Sequence, residues 1–325
     1  MRFGGFWSHR AARSLLSVGV TAFEHEILDI PPLSPGETSL VDLHSVLNVL
    51  NVLHGELLLL GFTLAEDHDL LRPALARCEQ IQADLVDPAA ALRHAESLPA
   101  HREEIERLLA AALAQHPAPA QTAEARDSLE NIRTVFKVFE VRAREILARA
   151  HAPGEWIESS IDVLRRDFRE VFAAIEKNSH GRYRIIYNLA QQEPRDYYVD
   201  FVIESDNGRT VALPLLFKDV MRDLIANARK YTAPGGTINA GLYETATCLR
   251  FTVQDTGCGI PPDEIETVVH YGRRGSNVTE VRTMGGGFGL TKAFLVTKQL
   301  GGRFWIRSEL GVGTRIRIEI PRPRA

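Results

Sequence analysis

Helical segments alternate with glycine-rich turns in the C-terminal third of the chain, and this alternation restricts the fold more than any other feature. Residues 219–230 contain no Gly or Pro, and their apolar residues recur at helical spacing. The run Leu249–Val253 alternates as a strand does, and two glycines follow it closely. A glycine cluster at 285–289 then precedes a second helical segment, 290–300. The pattern predicts helices and strands joined by tight turns.

The first helical segment carries polar residues suited to a metal-bound phosphate group. Asp223 and Asn227 are four residues apart, so they lie on one side of the helix, and Lys230 follows about one turn later. Mg²⁺ prefers oxygen ligands and usually keeps several waters, so a carboxamide, a carboxylate and a cation together suit a Mg²⁺–triphosphate. Taken alone, the same pattern also fits a solvated polar face.

The predicted strand ends at a carboxylate beside two glycines. Gly257 and Gly259 allow the backbone to turn tightly and to approach a flat ligand, and Asp255 can accept a hydrogen bond from an exocyclic amine such as that of adenine. An ordinary Asp-Gly turn is the alternative.

Two further glycine stretches follow. Backbone amides at the start of a helix bind phosphate well, and the cluster with Gly285, Gly287 and Gly289 opens such a helix. The polar residues from 268 to 289 form a predicted lid, with two arginines able to meet phosphate. Thr314 closes a turn between two strand-like runs. A linker and a hairpin turn are the simpler interpretations of these two stretches.

Together, the four stretches in this order resemble the ATP-binding domain shared by sensor histidine kinases, heat-shock chaperone ATPases, type II topoisomerases and mismatch-repair ATPases. The ending 302–321 is similar to the histidine-kinase branch, and the resemblance covers roughly residues 154–321. It implies ATP and Mg²⁺ as cofactors. The nucleotide-binding residues that it implies are Asn227 (which binds the metal), Lys230, Tyr231, Asp255, Gly257, Gly259, Gly285, Gly287, Gly289 and Thr314.

One position departs from that family. The family usually has Glu where this chain has Asp223, so the carboxylate that positions water is one methylene shorter. The departure is expected to affect the rate of phosphoryl transfer more than ATP binding.

The N-terminal half predicts a helical bundle. Residues 38–61 place leucines at alternating three–four spacing, and residues 120–150 repeat that seam. Two such helices per chain make half of a four-helix bundle, so a homodimer is expected.

One histidine on the first of these helices stands in a known sequence context. Residues 44–51 resemble the phosphoacceptor box of histidine kinases, which implies that His44 accepts the phosphoryl group and that Asn48 can orient a water. Ser45 replaces the acidic residue that helps to deprotonate the imidazole, and Val49 replaces the usual proline. Without the pocket downstream, a structural histidine is the simpler interpretation.

These segments predict an α+β chain, a dimeric helical bundle followed by an α/β sandwich with a mixed sheet and helices on one face. The expected divisions are an extension at 1–35, containing a short helix, a dimerisation and phosphotransfer domain at 36–152, and a catalytic domain at 153–325 that begins with a helix over 155–178. The bundle contains an insertion at about 62–119, whose prolines predict helices near 67–86, 89–97 and 100–115.

Composition bounds the environment. A net charge of −4 argues against nucleic acid as a partner. The three cysteines lack metal or disulfide spacing, which fits a reducing cytosol. Uninterrupted apolar runs are shorter than a membrane span requires, and no signal-peptide pattern is present, so a cytoplasmic location without a membrane span is expected.

The sequence therefore predicts a histidine protein kinase that autophosphorylates His44 and passes the phosphoryl group to an aspartate of a response-regulator receiver domain. His44, Asn48 and Asp223 are the candidate catalytic residues. Two alternatives stay open. One is a phosphatase for the response regulator, and the other is an ATP-binding scaffold or phosphotransfer dimer with little kinase activity.

Overall fold

The chain folds as a helical bundle followed by a mixed sheet covered by helices. Its structure is a computed structural model that describes residues 24–152, 154–177, 181–278 and 286–323. The helices are α1 (Pro35–Ala65), α2 (Arg72–Asp84), α3 (Pro88–Glu96), α4 (Leu98–Gln115), α5 (Ala123–His151), α6 (Ile161–Lys177), α7 (Leu215–Tyr231) and α8 (Gly289–Gln299). The strands are β1 (His25–Ile27), β2 (Trp156–Ser160), β3 (Ile185–Ile186), β4 (Tyr197–Glu204), β5 (Thr210–Pro214), β6 (Thr237–Glu244), β7 (Cys248–Asp255), β8 (Arg303–Glu309) and β9 (Gly313–Pro321).

Helix α1 begins at a capping box and runs unbroken past the predicted end. The Ser34 hydroxyl accepts a hydrogen bond from the backbone N–H of Glu37, whose carboxylate accepts from the backbone N–H of Ser34 at 2.8 Å. The helix ends where Glu66 adopts a left-handed conformation, with φ of 55°. Because Val49 takes the place where the family has proline, nothing in this stretch removes a helical hydrogen bond.

The insertion fills the seam on which the prediction of a dimer rested. Helices α2, α3 and α4 correspond to the three predicted helices and pack against α1 and α5 in two clusters. Leu50 and Leu57 of α1 and Phe136 of α5 are almost completely buried within the single chain. The seam is therefore covered by the chain's own insertion, and the homodimer stays a prediction.

The C-terminal sheet has the strand order β1-β8-β9-β7-β6-β4-β3. Strand β4 pairs parallel with β3 on one side and with β6 on the other. The remaining pairs, β6–β7, β7–β9, β9–β8 and β8–β1, are antiparallel. Helices α6, α7 and α8 share one core with this sheet, which confirms the predicted mixed sheet and helical layer. The face of α7 that packs on this core is apolar, from Leu216 to Ala228, whereas Asp219 on the same helix is buried against Arg142 and Lys292.

One local prediction was wrong, and another, the short helix expected in the N-terminal extension, falls on residues 6–23, which lie outside the described part of the chain. Residues 156–160 form strand β2, paired antiparallel with β5, where a helix was expected over 155–178. Helix α6 starts only at Ile161, because the preceding residues satisfy their backbone hydrogen bonds in that two-stranded sheet. Within the N-terminal extension, residues 25–27 form the edge strand β1 beside β8, while residues 1–23 lie outside the described part of the chain.

Helix α1 also bears on the expectation of no membrane span. By length and composition alone, it could cross a membrane, with a mean hydropathy of 1.5 over an 18-residue window. The core helix of a soluble protein passes the same test, and the leucines of α1 pack against α2 and α5. This finding is weak support for a span.

Candidate functional site

One cavity brings together residues from the bundle and from the C-terminal domain. It has a volume of about 490 Å³ and lies between α7, the loop after β7 and the start of α8, with α1 closing one side. Most of the predicted site residues line it, namely His44, Asn48, Asp223, Asn227, Lys230, Tyr231, Asp255, Gly259, Gly287, Gly289 and Thr314. Gly257 lies next to it on the loop after β7, and Gly285 lies outside the described residues.

Asp255 lies at the end of β7 with two backbone amides on one carboxylate oxygen. The N–H groups of Gly257 and Thr314 donate to Oδ1 at 2.8 Å and 3.2 Å. Burial nevertheless raises the pKa of Asp255 to about 6, because removal from water outweighs these two hydrogen bonds. A donor from a ligand would stabilise the ionised form further.

At two glycines that line the cavity, a side chain would collide with a neighbouring atom. Gly259 has φ of 70°, and a Cβ there would lie 2.1 Å from the carbonyl oxygen of Glu309. At Gly289, the first residue of α8, a Cβ would lie 2.7 Å from Nδ2 of Asn227. The absence of side chains therefore keeps the start of α8 open next to the Asn227 amide.

A group of cations also lines the cavity. Burial, together with the guanidinium groups of Arg274 and Arg229, lowers the pKa of Lys230 to about 8. Arg273 also lines the cavity. Because these cations repel one another, the site suits a multiply charged anion such as a polyphosphate.

The predicted lid is described only in part. Residues 268–278 and 286–289 border the cavity, and residues 279–285 lie outside the described chain. Asn277 donates from Nδ2 to the carbonyl oxygen of Gly259 at 2.9 Å, and the guanidinium of Arg274 donates to Val278 at 2.9 Å. The first part of the segment is thus attached to the loop after β7.

His44 points from α1 into this cavity, and its two ring nitrogens have different partners. Nδ1 lies 3.1 Å from the carbonyl oxygen of Val41, which can only accept, so Nδ1 carries a proton. Nε2 lies 3.4 Å from Oδ2 of Asp223 on α7. Burial lowers the pKa of His44, and the Asp223 carboxylate only partly opposes this shift. The neutral ring therefore presents the Nε2 lone pair to the cavity.

Asp223 belongs to a buried set of charges that the sequence interpretation missed. Burial alone would raise the pKa of Asp223, but Lys292 and His44 hold it below its ordinary value. The ammonium of Lys292 is completely buried, at 3.0 Å from Asp223 and 3.5 Å from Asp219. Asp219 also pairs with Arg142 of α5. Lys292 lies four residues before the buried Val296, so helical spacing could have placed it on the inner face.

Among the residues that the structure describes, no group of three or more His, Cys, Asp or Glu side chains could hold a metal ion. The cavity offers the amide oxygen of Asn227 as a hard donor, whereas the carboxylate of Asp223 is paired with Lys292. The Asn227 oxygen fits Mg²⁺ as an ion that takes most of its ligands from phosphate and water.

Parts of this chain are similar to known proteins. A family model described as "Histidine kinase-, DNA gyrase B-, and HSP90-like ATPase" matches residues 212–324. Adaptive-response sensory kinase SasA of Synechococcus elongatus is 29% identical over 195 residues, which cover 59% of this chain and 46% of SasA. Sensor histidine kinase RppB of Synechocystis sp. is 35% identical over 102 residues, which cover 31% of this chain and 22% of RppB.

A solved structure also matches part of the chain. The catalytic domain of histidine kinase ThkA, in a nucleotide-free form, covers 51% of this chain and 95% of that domain, at 24% identity and a TM-score of 0.36. The chain spans less than half the length of the two curated relatives, SasA and RppB.

Proposed function

We propose that this chain, whose C-terminal domain is a histidine kinase-, DNA gyrase B- and HSP90-like ATPase domain and whose relatives are sensor histidine kinases, is a protein-histidine kinase. ATP phosphorylates His44, and the phosphoryl group then passes to an aspartate of a response-regulator receiver domain. The observation that carries the proposal is the position of His44 Nε2 in the wall of the candidate ATP cavity, 3.4 Å from Asp223.

The two ends of the cavity suit the two ends of ATP. Asp255 accepts from the adenine amine, with Gly257, Gly259 and Thr314 around it. Tyr231 lies by the base, and Lys230 with the glycines of the α8 start binds phosphate. Asn227 would hold Mg²⁺ through its amide oxygen, and the ion would supply positive charge that offsets the charge of the phosphates.

The transfer step follows from the tautomer of His44. Nε2 forms a bond to the γ-phosphorus while the bond from that phosphorus to the β-phosphate oxygen breaks, and the electron pair leaves with ADP. During the transfer, the proton stays on Nδ1 and is donated in a hydrogen bond to the carbonyl oxygen of Val41. It leaves to solvent afterwards. His44 is competent at neutral pH because burial keeps its pKa below the ordinary value.

The same contacts suggest what replaces the acidic residue that follows the histidine in the family and that is Ser45 in this chain. Ser45 is buried, with 7% of its surface exposed, and cannot act as a base. We infer that the Val41 carbonyl fixes the tautomer in its place, and that the Asp223 carboxylate orients the ring and accepts a hydrogen bond from Nε2 whenever the ring is protonated, the proton itself leaving to solvent. Asp223 would thus act on the histidine as well as on the nucleotide side.

The test is incubation with γ-³²P ATP and Mg²⁺, followed by acid and base treatment of the labelled chain. We expect a label that is lost in acid and survives base, which is absent from His44→Gln. His54→Gln is the matched control, since His54 lies on the same helix, hydrogen-bonded to Glu79 at 3.3 Å. Label that persists in His44→Gln would show that the phosphoacceptor is another residue.

A second activity is favoured by the position of Asn48. It lies one turn after His44 and lines the same cavity, so its amide could orient a water towards the phosphoaspartate of the response regulator. His44→Ala should then keep phosphatase activity towards a phosphorylated receiver domain, while Asn48→Ala should lose it. Equal loss in both variants would contradict the assignment of the water to Asn48 alone, and a wild-type chain without phosphatase activity would rule out this activity.

Domain division and assembly complete the proposal. Residues 36–152 would form the phosphotransfer domain and residues 153–325 the catalytic domain, in a cytoplasmic protein without a membrane span. A homodimer would use apolar residues left exposed on the two long helices of the bundle, among them Leu59, Phe62, Val138 and Val141. Sedimentation of the Leu59→Glu variant against the wild-type chain tests this face.

A further inference from the structure

We propose that His44 receives its phosphoryl group from the ATP-binding domain of its own chain. Lys292 positions Asp223, and Asp223 in turn holds His44 at the cavity of that domain. The proposal rests on the kinase function proposed above. It specifies that the ATP-binding domain phosphorylates the histidine of the same chain, and it assigns a role to Lys292, a buried residue outside the cavity lining.

The first support is a continuous series of polar contacts that connects the bundle to the catalytic domain. His44 of α1 contacts Asp223 of α7, and Asp223 pairs with Lys292 of α8. Lys292 also contacts Asp219 of α7, which pairs with Arg142 of α5. Both long helices of the bundle are therefore joined to both helices that flank the nucleotide cavity.

The contacts of His44, Asp223, Lys292, Asp219 and Arg142 form a joint between the bundle and the catalytic domain, and burial makes these contacts costly to separate. Lys292 is completely buried, and the side chain of Asp219 is 3% exposed. Separating the bundle from the catalytic domain would leave buried charges with fewer partners, which is strongly unfavourable unless water replaces them. The joint therefore favours the arrangement in which His44 faces its own cavity.

The second support is that two short links tie the bundle to its own catalytic domain. Strand β1 ends at Ile27, Ile30 is buried in the core of the catalytic domain, and α1 starts at Pro35. Five residues reach at most about 18 Å. At the other end, α5 ends at His151 and β2 starts at Trp156, again five residues apart. Both links attach at the end of the bundle nearest to His44.

The third support is the core of the bundle. The helices of the insertion cover α1 and α5 within one chain, so the helix that carries His44 is held in place without a second copy. Whether or not two chains associate, each one therefore places its own histidine at its own cavity.

Mixed dimers test the proposal directly. His44→Gln and Asn227→Ala chains, each expected to be unlabelled alone, are co-expressed with different tags, and any species that carries both tags is incubated with labelled ATP. We expect no label in that species, whereas label on the Asn227→Ala chain would overturn the proposal. If wild type itself takes no label, the kinase function fails instead, so the two failures are distinguishable.

Dilution provides a second measure that does not depend on mixed dimers. Phosphorylation within one chain predicts that the rate per wild-type chain stays constant as the protein is diluted about a hundredfold. A rate per chain that falls in proportion to concentration would contradict transfer within the chain.

Lys292→Met tests the positioning role, with Lys298→Met on the same helix as the control. We expect kcat to fall by about tenfold or more while KM for ATP is unchanged, because Asp223 and His44 lose their fixed position. Loss of the ammonium also removes a charge that lowers the pKa of His44, so the acidic limb of the pH–rate profile should move to higher pH. A merely structural lysine would leave that limb in place, and an unchanged profile would overturn the assignment.

Discussion

The two sides of the cavity are built in different ways. On the nucleotide side, Asp255 accepts a hydrogen bond from the N–H of Gly257, two residues away. Gly259, two residues further on, adopts a left-handed backbone conformation. On the histidine side, His44 meets Asp223, and Asp223 meets Lys292, across separations of 179 and 69 residues. The nucleotide side is largely a property of short segments, whereas the histidine side exists only after distant helices pack together.

The comparison also separates two kinds of ionic contact. The pairs that attach β1 to the sheet, such as Glu24 with Arg317, are partly exposed. The pairs around Lys292 are buried. Because solvent screens the first kind and not the second, removing a charge should cost little at β1 and much at the joint between bundle and catalytic domain.

The largest expected effect tests whether the two halves have separate cores. Phe136 lies in the bundle cluster and Phe251 in the sheet core, and both are almost completely buried. Replacing either by Ala should cost about 3–5 kcal/mol of unfolding free energy, measured by chemical denaturation. Only Phe251→Ala should weaken ADP binding in calorimetry. Weak ADP binding by folded Phe136→Ala would show that the halves act as one core.

The next effect tests the nucleotide side alone. Asn227→Ala removes the amide expected to hold Mg²⁺ and should slow phosphohistidine formation by about a hundredfold or more. Asn239→Ala, in strand β6 outside the cavity, serves as the matched control. A normal rate in Asn227→Ala would remove this residue from the metal site.

A smaller effect concerns pH. The pKa of Asp255 is raised to about 6, so the carboxyl becomes protonated as the pH falls below that value and can no longer accept as an anion. The dissociation constant for ADP should therefore rise about tenfold between pH 7 and pH 5. Asp255→Asn should bind more weakly at pH 7 and lose this dependence. A flat profile in wild type would show that Asp255 does not bind the base in its ionised form.

The smallest effect is expected at the exposed contacts of β1. Glu24→Gln removes one charge of its pair with Arg317 and should change the unfolding free energy by about 1 kcal/mol or less. Thermal unfolding of Glu24→Gln and Lys292→Met side by side measures the contrast. A larger loss at Glu24 would show that strand β1, rather than the buried joint, holds the two parts together.

Sequence reasoning worked where the signal is local and failed where it is not. Helix α7 and strand β7 follow from periodicity, and the helices of the insertion follow from the prolines between them. Strand β2 was taken for part of a helix, because its pairing with β5 depends on residues about fifty positions away. Strand β1 was missed for the same reason, since three residues gain strand structure only by joining β8.

By itself, the sequence determined most helices, the strands β7, β8 and β9 and the turns around Asp255, because side-chain periodicity and glycine conformations act over a few residues. It also identified His44 and Asp223 as candidates. Only the tertiary structure decided that these two side chains meet, that Lys292 lies buried beside them, and that the insertion covers the seam of the bundle. Such contacts depend on how whole helices pack, and burial then sets the charge state of each group.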